Sequence, residues 1–226
     1  MAPDLTDVEK IHLYREMVRI RKFEQAAMKQ YQCGKMGGFL VLSIGQEAAP
    51  VALRSIMGPN DHTITGPRGI AAALASGMEM GPMMSELYGH TNGCSQGKGG
   101  MFSFFDPSKN HWGCHATAAA QTPLALGFAY ALKYQETPGA SFCFLGDGAA
   151  NQGVFHESQN LAGLLDVPVV YLLENNNYAM GTSVERGSSY RDCLAKRAEG
   201  YAIDWDVARG WEIDELRLKM SEARDR

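Results

Sequence analysis

The run SFCFLGDGAANQGVFHESQNLAGLLDVPVVYLLENNNYAMGT, residues 141–182, decides the fold class. Residues 141–145 are apolar without a break, the pattern of a buried strand, and Gly146-Asp147-Gly148 is a turn signal. Residues 149–165 suit a helix with Phe155, Leu161, Leu164 and Leu165 on its inner side. Asp166 and Pro168 break the pattern, and residues 167–173, VPVVYLL, form a second apolar strand. Two strands joined by a helix make a βαβ unit, whose parallel strands must be covered on both faces. The expected class is α/β, with a mainly parallel sheet flanked by helices.

The polar residues of this run fall where such sheets bind ligands. Asp147 follows the first strand and Asn175 and Asn176 follow the second, with 26 residues between Gly148 and Asn175. That spacing holds one crossover and a return strand, so both groups reach the crevice at the C-terminal strand ends. A carboxylate, amide oxygens and loop carbonyls form a hard-oxygen set of low charge, suited to Mg²⁺ shared with phosphates. Amides opening the expected 149–165 helix add a place for phosphate oxygens. Asp-Gly or Asn-Asn alone is ordinary turn chemistry; the pair at crossover spacing is far more specific.

GDG followed at this spacing by NN resembles the thiamine diphosphate enzymes. The longer strings GDGAANQG, ExxNLAG at residues 157–163 and ENNNYAMGTSVER are similar to alpha subunits of the thiamine-dependent dehydrogenase component of 2-oxo-acid dehydrogenase complexes, most of all the pyruvate branch. The resemblance implies a thiamine diphosphate-binding fold, with thiamine diphosphate and Mg²⁺ as cofactors. It implies that Asp147, the Asn176 side chain and the Tyr178 backbone carbonyl hold Mg²⁺, and that the Gly148 and Ala149 amides face the diphosphate. Arg68, in Gly66-Pro67-Arg68-Gly69, matches the family arginine that contacts diphosphate oxygens; Pro67 stands where the family has Tyr. Residues 111–121, HWGCHATAAAQ, match the family pattern at Gly113, His115 and Gln121. There the backbone at Ala116 and Ala118 is implied to meet the aminopyrimidine ring. Ala116, Thr117, Ala118 and Ala119 replace a Gly-Ile-Val-Gly run, and an alanine where φ must be positive costs about 1 kcal/mol.

The implied activity is oxidative decarboxylation of a 2-oxo acid, pyruvate first, with acyl transfer to lipoyl groups. The implied partners are a beta subunit, in a heterotetramer of two alpha and two beta chains, and a lipoyl acyltransferase component. The family's catalytic histidine, in a Gly-His-Ser setting, is expected beyond Arg226, since none of the six histidines stands in that setting. Residues 1–226 are thus expected to be one diphosphate- and Mg²⁺-binding domain without the family's C-terminal portion, its catalytic residue unknown. Two readings stay open: a non-catalytic cofactor- or partner-binding half, and an acetoin or branched-chain 2-oxo-acid dehydrogenase alpha subunit. A half-site is expected to expose an apolar patch beside Asp147 and Asn176.

Composition narrows the class. A net charge of −4 gives no case for nucleic acid, and no apolar run is long enough to span a membrane. The start, MAPDLTDVEK, has no basic region followed by an apolar run, so a cytoplasmic protein is expected. Five cysteines without a CxxC pair read as reduced thiols, with Cys143 in the core and Cys114 partly reachable.

Elsewhere, Thr6-Asp7-Val8-Glu9 reads as a capping box before a helix to about Gln32, with Val8, Ile11, Tyr14, Val18 and the Phe23/Ala26/Ala27 group on its apolar stripe. Residues 39–57 read as a helix around Gln46-Glu47, and 62–65 as a strand. Residues 80–88, 122–134, 190–200 and 212–226 read as helices, 203–207 as a strand, and 93–100 as a flexible glycine loop. His156 is expected to be a surface or packing histidine.

Overall fold

A computed structural model describes residues 5–226. Its centre is a parallel sheet of four strands, β1 (His62–Thr65), β2 (His111–Cys114), β3 (Ser141–Gly146) and β4 (Val169–Glu174), in the order β2-β1-β3-β4. Thr65 pairs with Phe144 and Gly146 with Glu174, so the C-terminal ends of the strands lie along one edge. β3 is central and apolar on both faces: Phe142 and Phe144 pack with Leu53, Leu216 and Met220, while Cys143 packs with Ile64 and Ala125. This is what a parallel strand covered by helices on both sides requires. β4 has one strand neighbour among the described residues, and its side chains are only half-buried.

The flanking helices are α1 (Asp7–Gln32), α2 (Ala48–Ile56), α3 (Ile70–Ala75), α4 (Met80–Leu87), α5 (Gln121–Tyr134), α6 (Gly153–Leu165), α7 (Val184–Gly187) and α8 (Ile213–Asp225). α1 begins with the expected capping box: Thr6 Oγ1 accepts from the Glu9 amide and the Glu9 carboxylate accepts from the Thr6 amide. A hairpin of β5 (Tyr178–Ala179) and β6 (Thr182–Ser183) follows β4.

Several sequence expectations are corrected. On α1 the buried side chains are Leu13, Ile20, Phe23, Glu24 and Ala27, so the expected stripe holds at Phe23 and Ala27, while Val8, Ile11 and Tyr14 face outward. On α6 the inner face is Phe155, Ser158, Gln159 and Ala162, with Leu161, Leu164 and Leu165 exposed. The expected helix over 39–57 starts only at Ala48: residues 41–43 have no regular structure, and 44–45 form a turn in which the Gln46 amide donates to the Ser43 carbonyl. The expected helix over 149–165 is split: Ala149–Asn151 is a single 3-10 turn, and Gln152 leaves helical space at ψ 137 before α6 begins. Arg197 causes part of this by binding the Ala150 carbonyl and Asn151 Oδ1. Residues 203–207 form no strand, the helix expected over 190–200 is a 3-10 segment at Leu194–Tyr201, and β2 replaces what reads as loop.

The turn before β1 is built on a buried carboxylate. Asp61, 1 % exposed, accepts from the Ala140 amide at 2.8 Å, the Gly58 amide at 2.7 Å and Arg224 Nε of α8 at 2.6 Å. Asp61→Ala strands both amides and the guanidinium, and is expected to cost about 3 kcal/mol, read as a lower urea midpoint.

Candidate functional site

Four loops leave the C-terminal edge of the sheet, and short polar contacts draw them together. After β1, the Gly66 amide donates to the Phe144 carbonyl of β3, as does Gln121 Nε2 at 2.8 Å. After β2, the His115 amide donates to the Thr65 carbonyl. The loop after β2 carries Ala116, exposed, and Ala118, half-buried; Ala118 and Ala119 pack with Leu145, Ala149 and Phe155. The loops after β2 and β3 therefore share one small apolar cluster.

After β3, Asp147 is 3 % exposed as a residue, and its carboxylate oxygens are not among the fully buried side-chain atoms that lack a partner. Gly148 follows, and a Cβ there would stand 2.3 Å from the Ala179 Cβ of the β5 hairpin, so only glycine lets the two loops close. This contact brings the Asp147 turn against the segment that carries Asn176 and Tyr178. Ala149 opens the 3-10 turn, whose first amides lack acceptors within the turn.

After β4, Asn175 Oδ1 accepts from the Asn177 amide and Asn176 Oδ1 from the Tyr178 amide at 3.1 Å. These bonds fix both side chains as local turn caps, and an amide oxygen keeps a second lone pair. Asn177 and Met180 adopt left-handed φ of 70° and 54°. Tyr178 and Met180 stand out from the hairpin, Met180 at 99 % exposure.

Arg68 is exposed, three residues past β1, and its guanidinium donates to the Leu42 carbonyl. It also acts electrostatically on Glu174, the last residue of β4. Glu174 is a site residue that sequence reasoning missed, because it reads as the end of an apolar strand. Burial pushes its carboxyl up to about 7, with Arg68 opposing the shift. Asp147, Gly148, Ala149, Asn176, Tyr178, Ala116, Ala118 and Arg68 thus all lie on loops at one sheet edge. The hard-oxygen donors, Asp147 with the amide and carbonyl oxygens of the Asn176 loop, suit a small divalent cation. No cluster of three or more His, Cys, Asp or Glu that could hold a metal occurs among the described residues.

Other candidate residues are structural. Cys114 is buried, and burial pushes its thiol up to about 12, which corrects the expectation that it is partly reachable. Cys143 is buried as expected. His156 Nδ1 hydrogen-bonds the Tyr201 hydroxyl, a packing role. The glycine loop is pinned rather than flexible. Glu86, 1 % exposed on α4, accepts from the amides of Ser95 and Gly97 on one oxygen, and of Gly99 and Gly100 on the other, at 2.8 to 3.1 Å. Burial alone would raise this carboxyl; the four amides more than reverse that and hold it below its usual range.

Comparison with known proteins follows the same residues. The family model described as "Dehydrogenase E1 component" matches residues 15–205. A Rickettsia felis protein named pyruvate dehydrogenase E1 component subunit alpha is 41% identical over 211 residues, covering 93% of this chain and 64% of its own length. A Rhizobium meliloti protein of the same name is 40% identical over 215 residues, covering 95% and 62%. A mitochondrial protein of that name from Schizosaccharomyces pombe is 40% identical over 186 residues, covering 82% and 45%. The chain spans about three fifths of the length of the bacterial relatives it matches.

Two measurements check this description. Ala119 is fully buried at φ 66°, where the expected glycine would sit without strain. Ala119→Gly exchanges that strain against one buried methyl, so its stability should stay within about 1 kcal/mol of the parent; Ala119→Val, β-branched and overpacked, should cost about 3 kcal/mol. For Glu174, the folded pKa of about 7 lies above the ordinary 4.5, so the folded state binds the extra proton. The parent should gain stability as pH falls from about 7 toward 4.5, and a denaturation series should show Glu174→Gln lacking that gain.

Proposed function

Because the chain belongs to the dehydrogenase E1 component family, we propose that it serves as an alpha-type subunit of a pyruvate dehydrogenase, binding thiamine diphosphate with Mg²⁺. Its reaction is then oxidative decarboxylation of pyruvate with acyl transfer to lipoyl groups. When bound, thiamine diphosphate supplies the nucleophilic carbon and the electron sink; the protein supplies binding, orientation and electrostatics. Residues 1–226 act in this reading as one cofactor-binding domain.

The observation that carries this reading is the closure of Gly148 on Ala179, which seats the turn of the 3 % exposed Asp147 against the hairpin that follows Asn176. Asp147, Asn176 Oδ1 and the Tyr178 carbonyl would hold Mg²⁺. The Gly148 and Ala149 amides and the Arg68 guanidinium would take diphosphate oxygens, a planar fork suited to such an anion. The backbone at Ala116 and Ala118 would border the aminopyrimidine ring.

A beta subunit is the proposed partner across the site, in a heterotetramer, with a lipoyl acyltransferase as acceptor. The exposed Tyr178 and Met180 beside Asn176 support a protein surface there. No described helix is long and apolar enough to cross a membrane, and the cytoplasm is the proposed location.

Calorimetric titration with thiamine diphosphate tests the site. Binding should require Mg²⁺, and Asp147→Ala should weaken it on the order of a hundredfold, the loss of a charged metal ligand. Equal affinity without Mg²⁺, or an unaffected Asp147→Ala variant, would remove the proposed site.

A further inference from the structure

One peptide plane, between Leu42 and Ser43, is gripped from both sides. The Ser43 amide donates to Glu24 Oε1 at 2.9 Å, and Ser43 Oγ donates to the same oxygen at 2.5 Å. On the other side, the Leu42 carbonyl accepts from the Arg68 guanidinium. Glu24 is 0 % exposed on the inner face of α1, and its second carboxyl oxygen has no partner. The segment has no helix or strand to hold it; beside it the Val41 amide donates to Met101 Sδ, the Gln46 amide to the Ser43 carbonyl and the Gly45 amide to Glu47 Oε2.

We infer that Glu24 is a positioning residue for Arg68, acting through the Leu42-Ser43 peptide. An exposed arginine samples many rotamers unless one arm is anchored, and here the anchor is a carbonyl. A carbonyl in an irregular segment holds direction only if its peptide cannot turn. The buried Glu24 carboxyl stops that rotation by taking the amide of the same plane. One Nη of Arg68 is thereby committed to Leu42, and the rest of the fork is presented to an anion at the sheet edge. Burial pushes the Glu24 carboxyl up, so it and glutamine are near-isosteres that both offer the acceptor oxygen. The ligand class, diphosphate oxygens, rests on the function proposed above; the relay from Glu24 to Arg68 does not.

The test uses the 226-residue chain and inorganic pyrophosphate with Mg²⁺, titrated calorimetrically. Glu24→Leu should weaken binding on the order of tenfold, Glu24→Gln should leave it near the parent, and Glu24→Leu placed in an Arg68→Met background should weaken it no further. A Glu24→Leu loss that persists undiminished in the Arg68→Met background overturns the relay, since it then reflects general destabilisation. Independently, the ¹⁵N-bound guanidinium protons of Arg68 should be slowly exchanging in the parent and in Glu24→Gln, and lost in Glu24→Leu. An unchanged signal in Glu24→Leu overturns the relay. A parent that binds no pyrophosphate sinks the functional reading alone, because the guanidinium signal still decides the relay. Should Glu24→Leu fail to fold, Glu24→Ala, which removes the acceptor of the Ser43 amide without adding bulk, is read in the same way.

Discussion

β3 is hydrogen-bonded on both sides, to β1 with Thr65 opposite Phe144 and to β4 with Gly146 opposite Glu174. Because both pairings are parallel, three chain segments far apart in sequence must leave the sheet at one edge. Everything assigned to the site follows from that constraint. Arg68, Asp147 and Asn176 come together because the register brings their strand ends level, not because they attract one another. The apolar faces of β3 explain why this register holds. A slip by one residue would exchange Phe142 and Phe144 with Cys143 and Leu145, and neither packed layer would fit.

Much of this was legible beforehand, for identifiable reasons. The strands around GDG and before Asn175 are long apolar runs with clear breaks, and the capping box at Thr6 is local chemistry. The errors came where tertiary contacts overrule local pattern. Residues 111–114 are too short and too glycine-bearing to read as a strand; they become one by lying beside β1. The 39–47 segment carries helix-compatible residues but is held in an irregular, turning path by contacts to Glu24, Glu47 and Arg68. On α6, leucines suggested the inner face, yet Ser158 and Gln159 are buried, with Ser158 bonded to Val154 and close to Thr122. Glu174 escaped notice because a carboxylate ending an apolar strand looks like a boundary marker until its neighbours are known. The positive φ of Ala119 was foreseeable only from the glycine pattern it replaces.

Buried carboxylates recur as organisers of backbone, and Asp61 is ion-paired with Arg224 as well. Glu24 holds the peptide beside Arg68, Asp61 holds the turn into β1, and Glu86 holds the loop over residues 95–100. Two or more amides converge on Asp61 and on Glu86, and one amide with a hydroxyl on Glu24, and a segment without regular structure gains a defined shape. Charge-assisted hydrogen bonds of this kind are stronger than those between neutral groups. They also let an irregular segment sit near a sheet edge without leaving its amides unpaired.

The Glu86 loop carries a consequence for how such a protein can diverge. Its shape is written in backbone amides closing on one carboxylate, and a Cβ at Gly97 would stand 2.4 Å from the Gly89 carbonyl oxygen. The glycines and Glu86 are therefore locked to one another, whereas the exposed side chain of Lys98 takes no part in holding the turn. Drift is barred at the scaffold positions and free at the outward one. A lineage could exchange the charge at residue 98, and with it what the loop tolerates nearby, without paying for a new fold of the loop.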